Sequence, residues 1–339
     1  MDTDSFKPLF IQALERRKAL FARLQRENTN AVRIFHGITE GVPGLTIDRY
    51  ASLVLVQTFR DPLKSQEIEL IRQVLSGTLQ FPFSLAYNHR GKKATEAFDL
   101  WHQPDPETSK EVECSEFGTK FLVRARHFGI DPWLFLDLRA GRRFLRGACK
   151  GLSVLNLFSY TCSVGVSAAE AGASEVWNVD FSSSNLEVGR RNATLNNIPE
   201  KRFVTIEEDC LPIMRQLAGL PVGMRSSQRR KFKKVEKREF HLVVLDPPAW
   251  SKGPYGAVDV EGDYASLFKP AVLIARQNGG RILATNHVPG IELNGWIESL
   301  ERCAAKAGRP LKSVQSILPD EDFPSFDGKP PLKMVIAEI

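Results

Sequence analysis

Hydrophobic and polar positions change rhythm along the chain. Leu9, Ile11, Leu14, Ala19, Leu20 and Leu24 recur near helical spacing with Arg and Lys between them, which predicts a helix within residues 1–30. A turn at Gly41-Val42-Pro43-Gly44, a short strand at Leu45-Thr46-Ile47, a β run from Leu53 to Phe59, a helical stretch over 64–76 and an extended one from Phe83 to Tyr87 follow. Together they predict a small α+β domain over 31–115. Beyond 116 the chain alternates apolar runs with helical periodicity. Strands are expected at 153–157, 175–179, 203–206, 242–245 and 281–285, with helices opening near Val164, Ser184, Leu211, Tyr264 and Glu292. Two late strands, near Val314 and over 333–339, have no helix between them. Residues 116–339 are therefore expected to be an α/β, Rossmann-like domain. Its mostly parallel seven-stranded sheet would be covered by helices and edged by an antiparallel hairpin.

Composition narrows the class. At 339 residues, 42% hydrophobic and 25% charged, the chain has enough apolar material for two cores, which excludes a disordered or disulfide-stapled scaffold. The longest charge-free stretch, Gly151 to Ala169, carries Asn156, Tyr160, Thr161 and several serines, so no membrane span is expected. Five widely spaced cysteines without a CxxC pair predict reduced thiols, a cytoplasmic setting and no metal site. The acidic start Met1-Asp2-Thr3-Asp4 predicts no secretory leader.

The net charge of +6 is not spread evenly. Residues 222–239 hold eight basic side chains (Arg225, Arg229, Arg230, Lys231, Lys233, Lys234, Lys237 and Arg238) against two acids, and the rest of the chain is balanced. A block of this kind is either a solvated loop or a contact for a polyanion, of which nucleic acid is the foremost.

In open parallel sheets ligands bind beyond the carboxyl ends of the strands, so those ends carry the candidate chemistry. The first reads Asn156-Leu157-Phe158-Ser159-Tyr160-Thr161-Cys162 and lacks a GxGxxG pattern. The second reads Val179-Asp180-Phe181-Ser182, and an acid there either accepts ribose hydroxyls or caps the next helix. The third, Glu208-Asp209-Cys210, offers an acceptor for an adenine amino group or another cap. The fourth, Asp246-Pro247-Pro248-Ala249-Trp250, joins a rigid acceptor cluster to an aromatic ring, a combination suited to a planar base.

Taken in order, Asn156 to Thr161, Val179-Asp180, Asp209-Cys210-Leu211 and Asp246-Pro247-Pro248 resemble the class I S-adenosylmethionine (SAM) methyltransferases that modify bacterial 23S ribosomal RNA. Phe135-Leu136-Asp137-Leu138-Arg139 and the segments Phe35-His36-Gly37 and Pro43 to Tyr50 extend the resemblance over roughly 31–339. It implies SAM as cofactor and ribosomal RNA as partner, with the small domain a candidate for RNA recognition. Asn156 belongs to the motif, and Phe158, Ser159, Tyr160 and Thr161 would surround the methionine part of SAM. Asp180, with Phe181 and Ser182, would hold the ribose, and Asp209, with Cys210, the adenine. Asp246, Pro247, Pro248 and Trp250 would line the target cavity. Phe135, Asp137 and Arg139 would close the site, with Arg139 a partner for the SAM carboxylate. Arg225, Arg229, Arg230, Lys231, Lys233 and Lys234 would reach RNA phosphates. One departure is plain: Cys162 stands where the family has glycine, and its Cβ crowds the loop if the backbone there needs positive φ.

The family branches act on guanine N7 or cytosine C5. Carbon-5 methylation requires a thiolate to add at C6, and neither Pro247-Pro248-Ala249-Trp250 nor Thr285-Asn286-His287 holds a cysteine. Guanine N7 carries its own lone pair and mostly needs alignment. Asn286 also resembles the N7 branch, which is favoured here. An exocyclic amine is the third option, with His287 as proton acceptor. The competing class is a non-catalytic RNA-binding or ribosome-assembly module on a decayed methyltransferase fold.

Overall fold

The computed structural model describes residues 3–91, 110–125, 131–222, 232–253 and 255–339. The chain divides into two compact units, Met1–Arg139 with Pro319–Pro330, and Ala140–Leu318 with Pro331–Ile339. Among the described residues no helix is long and apolar enough to cross a membrane.

The first unit opens with α1 (Thr3–Arg16) and α2 (Lys18–Arg26), so the expected single helix is broken in two. The break falls at Arg17, whose buried guanidinium donates to the Ala13 carbonyl at 3.0 Å and pairs with Glu40. Strands β1 (Ala31–His36), β2 (Leu45–Tyr50), β3 (Leu53–Thr58) and β4 (Ser84–His89) lie in that order; only β3 and β4 are parallel, linked through α3 (Ser65–Thr78). Phe6, Phe10 and Phe35 meet in the core of this unit. A hairpin, β5 (Val112–Glu116) and β6 (Thr119–Val123), follows. Phe117 and Gly118 both take positive φ at its turn (54° and 78°), as a two-residue connection between right-twisted strands demands.

The two compact units divide at Arg139/Ala140, beside the boundary at 115/116 expected from the sequence. Residues 116–139 stay with the first unit because polar bonds hold them there. Phe117 N donates to Thr29 Oγ1 at 2.9 Å, Asn88 Nδ2 to the Ala125 carbonyl at 2.9 Å, and the Tyr50 hydroxyl to the Leu134 carbonyl at 3.0 Å. Pro319–Pro330, expected in the second domain, joins the first unit through Asp320 and Asp322, which pair with Arg139.

Apart from its first residue, α4 (Arg139–Ala148) belongs to the second unit, with β7 (Ser153–Leu157), α5 (Ser163–Glu170), β8 (Glu175–Asp180), α6 (Ser183–Leu195), β9 (Phe203–Glu207), α7 (Cys210–Leu217) and β10 (Leu242–Leu245). After them come the hairpin β11 (Trp250–Gly253) and β12 (Gly256–Asp259), α8 (Val260–Ile274), β13 (Arg281–Asn286), α9 (Leu293–Lys306), β14 (Ser313–Ile317) and β15 (Lys333–Glu338). The seven-stranded sheet runs β9-β8-β7-β10-β13-β15-β14. Its first five strands are parallel, and β15 is antiparallel to both neighbours. This is the expected Rossmann-like sheet. Every residue of β7 and β10 is buried, which explains why β10 reads as an unbroken apolar run and why Asn156, the one polar residue inside β7, needs a buried partner. Strand order reverses between β7 and β10, and that reversal opens the crevice where ligands bind in such sheets.

Candidate active site

The turn after β7 is built from left-handed residues. Phe158, Tyr160 and Cys162 take φ of 56°, 48° and 59°, at about 1–3 kcal/mol each for non-glycine residues. The bonds that hold this shape are local. Ser159 N donates to the Val179 carbonyl at 3.0 Å, Cys162 N to the Ser159 carbonyl at 2.7 Å, and Phe158 N to Cys210 Sγ at 3.1 Å. Side chains alternate as a result: Phe158 and Tyr160 are half-buried, whereas Ser159 and Thr161 are buried.

Asp180 closes β8. Its two carboxylate oxygens accept from Tyr160 N at 2.8 Å and Ser182 N at 2.9 Å, so the second strand end holds the first turn in place. No cationic side chain pairs with it among the described residues, and burial pushes its carboxyl above the usual range. Phe181 beside it is 50% exposed. The Ser182 hydroxyl accepts from Asn185 N at 3.3 Å and starts α6 two residues earlier than the capping-box spacing predicts.

Asp209 both caps and ties. One oxygen accepts from Leu211 N at 2.9 Å and starts α7; the other accepts from Tyr255 N at 3.1 Å. Pro212 sits in that first turn, where a missing N–H costs nothing. The β11–β12 hairpin is thereby fastened to the third strand end, and a Cβ at Gly253 would overlap the Asp209 carboxylate. Cys210 works behind the first turn. It is buried, its Sγ lies 3.5 Å from the Val179 carbonyl, and burial drives its thiol well above the ordinary value.

Asp246 ends β10. Its Oδ1 accepts from the Thr285 hydroxyl and lies 3.0 Å from His287 Nε2, while Oδ2 has no hydrogen-bond partner among the described residues. Burial alone would raise this carboxyl; the bond and charge of His287, the Thr285 hydroxyl and the Arg142 charge outweigh it and hold the group below the usual range. Pro247 is buried and Pro248 exposed. Trp250, which opens the hairpin, is 64% exposed.

Three expected site residues, Asn156, Asn286 and Arg139, are buried and bonded within the protein. Asn156 is buried, and its Nδ2 donates to Asn178 Oδ1 at 2.9 Å, bracing β7 against β8 in register. Asn286 is 0% exposed, with Oδ1 accepting from Val288 N at 2.9 Å. The next residue, His287, is the one that meets Asp246. Arg139 is also 0% exposed and belongs to the first unit. It donates to Asp322 at 2.7 Å, Asp320 at 3.1 Å and the Ala31 carbonyl at 3.2 Å, with Glu116 at 3.6 Å, so protein carboxylates surround its charge. Phe135 and Asp137 lie in that unit too. Arg225, Arg229, Arg230 and Lys231 lie outside the described residues; Lys233 and Lys234 are exposed.

A family model for S-adenosylmethionine-dependent methyltransferases matches residues 32–337. The chain belongs to this family. Two curated relatives of this methyltransferase are each called ribosomal RNA large subunit methyltransferase K/L. The one from Shewanella oneidensis is 26% identical over 84% of this chain and 38% of its own length. The one from Allochromatium vinosum is 34% identical over 54% of this chain and 22% of its own. The chain thus spans about two fifths or less of these relatives. Among solved structures, the SAH complex of SMU.776 superposes with a TM-score of 0.80 at 21% identity, over 100% of this chain and 82% of that one. A SAM-dependent methyltransferase from Streptococcus mutans gives 0.78 at 21% identity, with the same coverage. Both share the fold.

The residues present fit SAM on their own chemistry. Each Asp180 oxygen takes one backbone N–H and keeps a lone pair, and with no cation to satisfy it the carboxylate is an acceptor for neutral vicinal hydroxyls. Phe181 offers a half-exposed ring beside that acceptor. Sequence reasoning missed Asn178, Gly189, Gly253 and Tyr255 as supports. A glycine inside a helix, as at Gly189, was the one signal available for them.

Proposed function

We propose that this methyltransferase acts on a base of ribosomal RNA, with guanine N7 the favoured acceptor. The names of its curated relatives support the RNA class. The observation that carries the choice of atom is Asp246: an ionised carboxylate with one oxygen fixed by Thr285 and His287 and the other unpartnered. SAM, when bound, supplies an electrophilic methyl group. Attack by guanine N7 leaves a cationic purine, and the Asp246 charge, fixed beforehand, stabilises that charge as it develops. Asp180 holds ribose hydroxyls, and Asp209 accepts from the adenine amine with its remaining lone pairs. Pro247 and Pro248 keep the floor of the target cavity rigid, and Trp250 gives a base a face to stack on.

The cysteines weigh against the C5 route. All five are buried. Burial pushes Cys162 up to about 12 and raises Cys149, Cys210 and Cys303, the reverse of what a nucleophilic thiolate requires.

The basic segment supports an RNA partner through its anchoring. Lys233 N donates to Glu208 at 2.7 Å, the Lys233 carbonyl accepts from Gln216 at 3.0 Å, and Val235 N donates to Gln216 at 3.2 Å. The main chain is pinned along α7 while the Lys233 and Lys234 side chains stay in solvent, beside the third strand end. Phosphates met there would position RNA without reading its sequence. The setting is then the cytoplasm, where ribosomal RNA is.

A second acceptor, an exocyclic amine, is favoured by His287 alone: an amine sheds a proton on methylation, and the imidazole next to Asp246 could take it. One experiment separates the readings. Nucleosides from ribosomal RNA of a deletion strain are compared by mass spectrometry with those from strains complemented by the parent, by Asp246→Asn, and by a variant with Arg229, Arg230, Lys231, Lys233 and Lys234 changed to Gln. A 7-methylguanosine that vanishes on deletion, returns fully with the parent, returns partly with the charge variant and stays absent with Asp246→Asn is expected. Loss of a methylated amine or of 5-methylcytidine would replace the acceptor. No change in any ribosomal nucleoside would sink the RNA reading.

A further inference from the structure

The left-handed residue Cys162 and the helix residue Gly189 are packed against each other. Cys162 has φ 59° and ψ 25°, closes the turn after β7 and stands immediately before α5. Glycine is the usual residue for that conformation because a Cβ crowds the backbone there. Here a Cβ is present, and the thiol beyond it is wholly buried, with Ser159 Oγ at 3.7 Å and the Tyr160 carbonyl at 3.8 Å.

Room for the thiol comes from α6. A Cβ built on Gly189 would lie 2.9 Å from Cys162 Cβ and closer still to Sγ, with the Thr161 carbonyl at 3.4 Å. Every other obstacle at that position is at ordinary distance or slightly tight; the Cys162 side chain is the only prohibitive one. Gly189 itself is costly where it stands. It lies inside a thirteen-residue helix and is buried, a place where glycine gives up about 1 kcal/mol relative to alanine. A conformationally expensive glycine that opposes a conformationally expensive cysteine is explained if each requires the other.

We propose that Cys162 and Gly189 are a mutually dependent positioning pair for the cofactor turn: the thiol locks the left-handed end of the turn, and the missing side chain on α6 is what lets it. The link to the cofactor runs through two residues. Cys162 N bonds the Ser159 carbonyl, and between them Tyr160 N bonds Asp180, the ribose acceptor. A side chain at 189 would push Cys162 outward, and the Tyr160–Asp180 bond would be the first to stretch. The pair rests on the family's cofactor and not on the RNA reading, so the two fail separately.

The test is a double-mutant cycle on the full chain. SAM affinity is measured by calorimetry, and unfolding of the cofactor-free protein is followed alongside. Overpacking of this size costs about tenfold in affinity when it falls on a binding turn. Gly189→Ala should therefore weaken SAM about tenfold in the parent background and by less than about threefold in the Cys162→Gly background, where the obstacle is gone. A merely structural pair would move the unfolding midpoint and leave the dissociation constant of the folded protein alone. If Gly189→Ala fails to fold, the combined variant must fold and bind SAM. An equal loss in both backgrounds, no loss in the parent, or a combined variant no better than Gly189→Ala overturns the proposal.

Discussion

Carboxylates are buried in both units, and they are treated in opposite ways. In the first, Asp322, Asp320 and Glu116 surround Arg139, Asp48 is matched by Arg33 at 2.7 Å, and Glu40 by Arg17. In the second, Asp180 bonds to two backbone N–H groups and Asp246 to a hydroxyl and an imidazole. A guanidinium saturates a carboxylate with several parallel bonds. A single N–H leaves each oxygen another lone pair. Acids of the first kind are architecture, and acids of the second kind keep a valence for a ligand. Position in a crevice does not by itself distinguish them; the partner does.

The sharpest way to break this contrast is to remove the cation at the centre of the first group. Arg139→Met leaves Asp322 and Glu116 buried without their partner, and such a loss costs about 3–5 kcal/mol. Urea unfolding should register a drop of that size. A cost below about 1 kcal/mol would mean the cluster is not architecture. Asp180→Asn probes the other group and should read the other way. Losing hydrogen bonds from a charged acceptor to the ribose is worth about 1.5–3 kcal/mol, or roughly ten- to a hundredfold in SAM affinity by calorimetry. The amide keeps only one acceptor, so one of the Tyr160 and Ser182 N–H bonds is lost, and the cofactor-free protein should be destabilised by about 1–3 kcal/mol, less than for Arg139→Met. A large stability loss with intact SAM binding would erase the distinction.

This contrast also marks what could be read from the sequence. The parallel strands were legible because short, mostly apolar buried strands end sharply in polar residues, and the acids at those ends stand out. Which way a side chain faces at a strand end was not. Asn286 and His287 are adjacent, and only the strand's alternation decides that the histidine meets Asp246. The ion pairs of Arg139 were not legible because its partners Asp320 and Asp322 lie some 180 residues away, and nothing local announces them. The β11–β12 hairpin escaped notice because Trp250 to Asp259 has no apolar alternation: its burial comes from Val258 and from the Tyr255–Asp209 bond. Cys162 was legible as a departure from the family, but its accommodation depends on Gly189 across the crevice wall.

The two units also set histidines against opposite charges, and this gives the smallest expected effect. His287 faces a carboxylate. His36 in the first unit faces Arg33, whose NH1 lies 3.2 Å from its Nδ1, with Arg17 nearby. Burial, then the Arg33 and Arg17 charges, bring the His36 imidazole down to about 3, so it is neutral in the folded protein at every working pH. An unfolded histidine titrates near 6.5. Between about pH 3 and 6.5 the unfolded chain therefore binds one more proton than the folded one, and stability rises with pH across that window. The contribution is complete above about pH 6.5 and is lost progressively as pH falls below it. His36→Gln removes the proton site while keeping an acceptor for Arg33, so its unfolding midpoint in urea should change less between pH 7.5 and 4.5 than the parent's. An unchanged pH slope would mean that the cations of the first unit hold its acids without raising the potential around them, and that the two units differ in partner geometry but not in field.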